Sequence, residues 1–162
     1  MQYRRFEDLP VWQEASDLAQ RMFEFTAVDA LRRHPGLRDQ LERAAFSVSN
    51  NIAEGFERGT TNELLAFLYI ARGSAGEVRS MLTVMGTWKA FSNYRSQISD
   101  LRQCCERISK QLYGWIEQLK NSGIRGQRHF DDKSKTAYVN RKEREEFLEE
   151  LRRVTAKPEK GS

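Results

Sequence analysis

Residues 60–86 read TTNELLAFLYIARGSAGEVRSMLTVMG. Leu64, Leu68, Ala71, Ala75, Val78, Leu82 and Met85 recur at alternating steps of four and three, the a and d places of an unbroken heptad. That spacing predicts a helix with one buried seam, of the kind that packs in a bundle. Thr60 and Glu63 have the spacing of a capping box, with the Thr60 side chain covering the Glu63 amide and the Glu63 carboxylate returning to the Thr60 amide. The helix should end near Gly86.

Working outward, Gly59 is placed to close a preceding helix in the left-handed conformation, so that a tight turn makes the two helices antiparallel. That preceding helix opens after Pro35-Gly36, carries Leu37, Leu41, Ala44, Ala45, Val48 and Ile52, and reaches about Arg58. A first helix is expected from about Pro10 to Thr26, capped by Asp8, with Val11, Ala15, Leu18, Met22 and Phe25 on one face. A loop through Asp29, Arg32, Arg33 and His34 joins it to the second. The fourth helix, about Tyr94 to Asn121, presents Ile98, Leu101, Cys105, Ile108, Leu112, Trp115 and Leu119. Four such stripes predict an all-α fold, an antiparallel up-and-down four-helix bundle over residues 1–122, followed by a C-terminal extension over 123–162. Within the extension, 123–137 reads as a basic linker. Phe147, Leu148, Leu151 and Val154 suggest an exposed or docking helix over 138–154.

Composition agrees with long helices: 50 of the 162 residues are charged and only three are proline. The formal charge is +4, and most of the excess lies in the extension, with 11 basic against 8 acidic side chains, compared with 16 against 15 through residue 122. Cys104 and Cys105 are adjacent and cannot form an ordinary unstrained disulfide with each other, which fits a reducing compartment. The longest apolar run, Leu64 to Ala71, is far short of the roughly 20 residues that span a bilayer, and no secretory leader is recognisable. These features predict a soluble, cytoplasmic protein with no membrane partner. His34 and His129 are the only histidines, and no zinc set, Ser-His-Asp arrangement or glycine-rich phosphate loop is present. No catalytic residue, cofactor or metal is predicted. Cys105 falls at a core position, and Cys104 beside it should be partly exposed.

Two features exceed what a simple bundle needs. The third helix carries no charge from Leu64 to Ala71, and with Leu68 at a, Phe67 falls at g, Tyr69 at b, Ile70 at c, Gly73 at f and Gly76 at b. A helix apolar on several faces is buried on several faces. The occupant is a neighbouring subunit, or else the loop at 27–36 or the C-terminal helix folded back. On the second helix, Ser47, Asn50, Asn51, Glu54 and Arg58 form a polar stripe in which Asn50, Glu54 and Arg58 are spaced i, i+4, i+8. Two readings stand: a network that fixes register, or, with Arg43, a surface that hydrogen-bonds phosphates or bases. Arg32, Arg33, Arg43, Arg58, Arg125 and Arg128 are the candidate nucleic-acid contacts, arginine supplying 13 of the 16 basic residues through position 122.

Phe6-Glu7-Asp8-Leu9 with Val11-Trp12, then Gln40, Arg43-Ala44-Ala45, Ser47, Asn51-Ile52-Ala53-Glu54-Gly55 and Arg58, continue into Glu63, Phe67-Leu68, Ala71, Gly73-Ser74 and Glu77. Over roughly residues 3–120 this string resembles the four-helix-bundle proteins encoded within intervening sequences of bacterial 23S ribosomal RNA genes. The resemblance implies a ring-shaped homopentamer with a nucleic-acid-binding role and no enzymatic activity. A group of similar architecture, the accessory proteins of diversity-generating retroelements, implies an alternative: an adaptor that binds a reverse transcriptase and its RNA. The extension beyond residue 122 departs from the family's usual length, and either it or the outer face of the bundle would hold such a partner.

Overall fold

A computed structural model describes residues 3–121. These lie within the first of two compact units, Met1–Gly126 and Gln127–Ser162. The expected linker and helix of the extension, Arg125, Arg128 and His129 fall outside the described residues.

The chain is all-α. A 3-10 turn, Phe6–Asp8, leads into α1 (Pro10–Thr26), followed by α2 (Asp29–Arg32), α3 (Pro35–Glu57), α4 (Thr61–Met85), a second 3-10 segment (Lys89–Tyr94) and α5 (Arg95–Asn121). The four long helices pack in the cyclic order α1, α3, α4, α5, each against its two neighbours. The heptad residues of α4 are all buried, as are Leu41, Ala44, Ala45, Val48 and Ile52 of α3 and the predicted stripe of α1. In α5 the stripe drifts at its end. Ile116 is buried where Trp115 and Leu119 were expected, and those two pack only partly against the core, because an α-helix turns 3.6 residues rather than 3.5 and a strict heptad slips off the seam.

Four local expectations are corrected. Asp8 does not cap α1: it belongs to the 3-10 turn, Leu9 occupies the cap position without a side-chain bond, and Pro10 provides the helical φ of the first turn. The connection after α1 is not an irregular loop but contains α2, whose Leu31 is fully buried. Gly59 is not left-handed, and α3 ends instead at Arg58 in extended conformation, φ −71° and ψ 148°, its amide donating to the Glu54 carbonyl at 3.1 Å. At the start of α4, Thr60 Oγ1 accepts from the Glu63 amide at 3.3 Å as expected, but the Glu63 carboxylate accepts from the Thr60 hydroxyl at 2.7 Å rather than from its amide.

The end of the bundle near Thr26, Pro35 and Met85 is floored by aromatic rings outside every heptad. Phe91 is fully buried, Trp88 stacks on it at 5.9 Å between centroids, and His34 lies 6.2 Å from Trp88 and 6.4 Å from Phe91. Tyr94 meets Phe25 edge-on at 6.2 Å. These side chains close the core where the helices stop.

Of the described glycines, Gly55 at the α3–α4 reversal has the tightest surroundings. A Cβ on Gly55 would lie 2.7 Å from the Cβ of Phe67 and 3.2 Å from Leu64 Cδ1, whereas one on Gly114 of α5 would meet nothing within 4 Å. Gly55→Ala should therefore lose about 1–3 kcal/mol through overpacking, while Gly114→Ala should gain about 1 kcal/mol from helix propensity. Urea denaturation at fixed protein concentration checks both; the same sign of change at the two positions would refute the packing account.

Candidate functional site

The polar stripe of α3 resolves into two separate clusters. In the first, Asn51 Nδ2 donates to the Ser47 carbonyl at 2.7 Å and to Ser47 Oγ at 2.9 Å, Ser47 Oγ lies 2.9 Å from Ser74 Oγ on α4, and Ser74 Oγ donates to the Ile70 carbonyl at 3.1 Å. Because each hydroxyl has one proton, these contacts are all satisfied together when Asn51 donates to Ser47, Ser47 to Ser74 and Ser74 to the backbone. This hydroxyl chain crosses between two helices and ties their register.

In the second cluster, Arg58 Nη2 donates to Glu54 Oε1 at 2.5 Å, and the guanidinium lies over the Phe67 ring at 5.1 Å. The hydrogen bond to Glu54 raises the Arg58 pKa above its ordinary value. Asn50 joins neither cluster. It lines, with Glu42, Arg43, Phe46, Ser47 and Asn51, an open hollow of about 500 Å³ on the outer side of α3. The i, i+4, i+8 line of Asn50, Glu54 and Arg58 is thus not one network.

The residues expected at a subunit contact are also divided. Phe67 has a use within the protomer, since its Cβ packs on Gly55 and its ring carries Arg58. Tyr69 and Ile70 are 48% and 51% exposed, and Gly73 is exposed with nothing near the position of a Cβ. Phe46 of α3, not singled out in the sequence because it lies between the seam residues Ala45 and Val48, is also 45% exposed. The segment at 27–36 does not cover this patch. Its apolar residue Leu31 is drawn into the core.

Nor are the candidate arginines gathered. Arg32 pairs with Asp29 at 3.3 Å, Arg33 is exposed beside it, Arg43 is exposed at the hollow, and Arg58 is paired at the far end of α3. A 23-residue helix is roughly 34 Å long, so Arg33 and Arg58 flank opposite ends of the bundle. The structure instead gathers Arg72, Arg79 and Lys110 along a groove between α4 and α5. The signal for it was the seven-residue spacing of Arg72 and Arg79 around Gly76.

Across α1 and α5, the Glu14 carboxylate accepts from Arg107 Nε at 2.7 Å and from Gln111 Nε2. This strap lies over Cys104, whose Sγ is 3.9 Å from Glu14 Oε1. Cys104 is fully buried rather than partly exposed, because α1 covers it. Burial pushes its thiol up to about 11, and burial also pushes Cys105 up to about 12. Neither is an activated nucleophile. Among the described residues no group of three or more His, Cys, Asp or Glu side chains is placed to hold a metal, and no helix is long and apolar enough to cross a membrane.

Fold and surface together define a four-helix-bundle protein whose distinctive residues face outward rather than into an enclosed pocket. The family described as 23S rRNA-intervening sequence protein matches residues 7–114, from the first 3-10 turn to about two turns short of the end of α5, and the chain belongs to that family. No curated protein matches the chain.

The buried thiols have a pH consequence. Below pH 9 they are protonated in both the folded and unfolded chain; above it the unfolded thiols ionise first while the folded ones retain their protons to about 11 and about 12, so stability falls as pH rises. The urea midpoint should decline more steeply between about pH 9 and pH 11 than in a Cys104→Ala, Cys105→Ala variant. Equal slopes would show that the thiols are not the cause.

Proposed function

We propose that the protein is a non-catalytic homo-oligomer, a pentamer in keeping with the family resemblance, that acts in the cytoplasm as a scaffold binding RNA. The observation that carries the oligomer is the pair of half-exposed apolar side chains, Phe46 on α3 and Ile70 on α4, beside the Ser47–Ser74 crossing. Tyr69 and the bare Gly73 extend this surface along α4. Apolar side chains left half-exposed on adjoining helices mark an interaction site. The hollow beside Phe46 and the α4 ridge at Ile70 are different surfaces. A contact between one and its complement on the next subunit is heterologous, the type that generates a closed ring when the rotation is right.

RNA binding is supported by the prevalence of arginine among the cations, since guanidinium groups suit bidentate phosphate contacts and stacking. Membership in the family is compatible with this role, although its name describes no binding activity.

Light scattering of the purified full chain should give a multiple of 18.9 kDa, and Phe46→Glu with Ile70→Glu should shift it towards that mass while leaving the helical signal intact. A monomer in the unaltered protein would remove the oligomer. RNA binding should weaken as salt rises, through counterion release; an affinity flat in salt would remove the phosphate-binding role.

A further inference from the structure

Arg72 and Arg79 stand two helical turns apart on α4, roughly 10 Å along the axis, and so share one edge of the helix. On the facing edge of α5, Glu106, Ser109, Lys110 and Tyr113 follow at i, i+3, i+4, i+7. Between the two edges Gly76 has no side chain, and a Cβ there would meet nothing within 4 Å. The result is an open groove of about 320 Å³ with a bare stretch of helix as its floor.

The groove is cationic. Its one carboxylate, Glu106, is paired with Lys110 at 3.3 Å, while Arg72 and Arg79 have no carboxylate partner among the described residues. The Arg72 guanidinium lies 5.0 Å from the centroid of the Tyr113 ring, and that ring is 51% exposed. Two guanidinium groups without a carboxylate partner, beside a half-exposed aromatic ring, are the elements that hold a polynucleotide backbone and stack an unpaired base.

We propose that this groove binds a single-stranded segment of RNA, with Arg72 and Arg79 on its phosphates and a base stacked at Tyr113. The groove follows the seam between two helices packed side by side, whose axes lie about 8–10 Å apart in such contacts. A base within a duplex is stacked on its own neighbours and does not offer its face to Tyr113. The assignment rests on the RNA-binding role proposed above and locates it. It also leaves Phe46 and Ile70 free for subunit contacts.

The test is fluorescence anisotropy of the full chain with a short labelled single-stranded RNA, alongside the same RNA annealed to its complement. Tyr113→Leu should weaken single-strand binding about tenfold with an unchanged salt slope. Arg72→Gln with Arg79→Gln should weaken it further and lower the slope of log affinity against log salt by about 1.4. Gly76→Glu should weaken binding where Gly76→Lys, of similar length, strengthens it, a comparison that separates charge from misfolding. Arg5→Gln, distant in the chain and paired with Glu7, should bind as the unaltered protein does. If the unaltered protein binds RNA and the groove variants bind equally well, the groove assignment falls and the wider role stands. Tighter binding to the duplex also overturns the assignment. No binding by the unaltered protein at low salt removes the RNA role itself.

Discussion

The α3–α4 reversal depends on a missing Cβ. Gly55 lets Phe67 approach within a distance that no side chain would tolerate, and the two helices meet closely enough for Ser47 and Ser74 to share a hydrogen bond about two turns away. That pairing fixes which faces of the two helices are consumed inside the protomer. Phe67 is spent on Gly55 and Arg58, Ser74 on Ser47, and the residues between them on the helix surface, Ile70 and Gly73, remain outside. The apolar surface proposed for subunit contact is therefore a remainder, set by how the reversal packs.

The same logic governs the charges. Ion pairs remove Arg58, Arg32, Arg38 and Arg107 from the pool of available cations, each held by a carboxylate on its own helix or, for Arg107, by Glu14 of α1. Exposed pairs of this kind contribute little to stability, but they determine where positive charge is left over. Arg72 and Arg79 are left over because α4 has only Glu63 and Glu77 as acidic residues, and neither pairs with them. The groove beside Gly76 owes its charge to that shortage.

Much of the architecture was legible because helical periodicity is a local signal. The seam of α4, the stripes of α1 and α3 and the cap at Thr60 follow from spacing along one strand of sequence. The end of the bundle was not legible in this way. Leu31 and Phe91 are fully buried yet belong to a four-residue helix and a 3-10 segment, both too short to show a period. The candidate site was less legible still. Asn50, Glu54 and Arg58 share a face by counting, but hydrogen bonds couple Asn51 to Ser47 and Arg58 to Glu54, leaving Asn50 out.

The sequence by itself determined the four long helices, their antiparallel order and the buried seam, because each of these depends on residues within one or two turns of one another. Family membership was readable there too, since it resides in the residue string. Only the tertiary structure decided which side chains off the seam are free. Phe67 and Ile70 are both apolar residues off the seam, and Arg58 and Arg72 are the same residue type. Their different fates depend on Gly55, Glu54 and Tyr113, which belong to other helices or other turns. A partner across space leaves no period along the chain, so what remains available for binding is a property of the packed bundle.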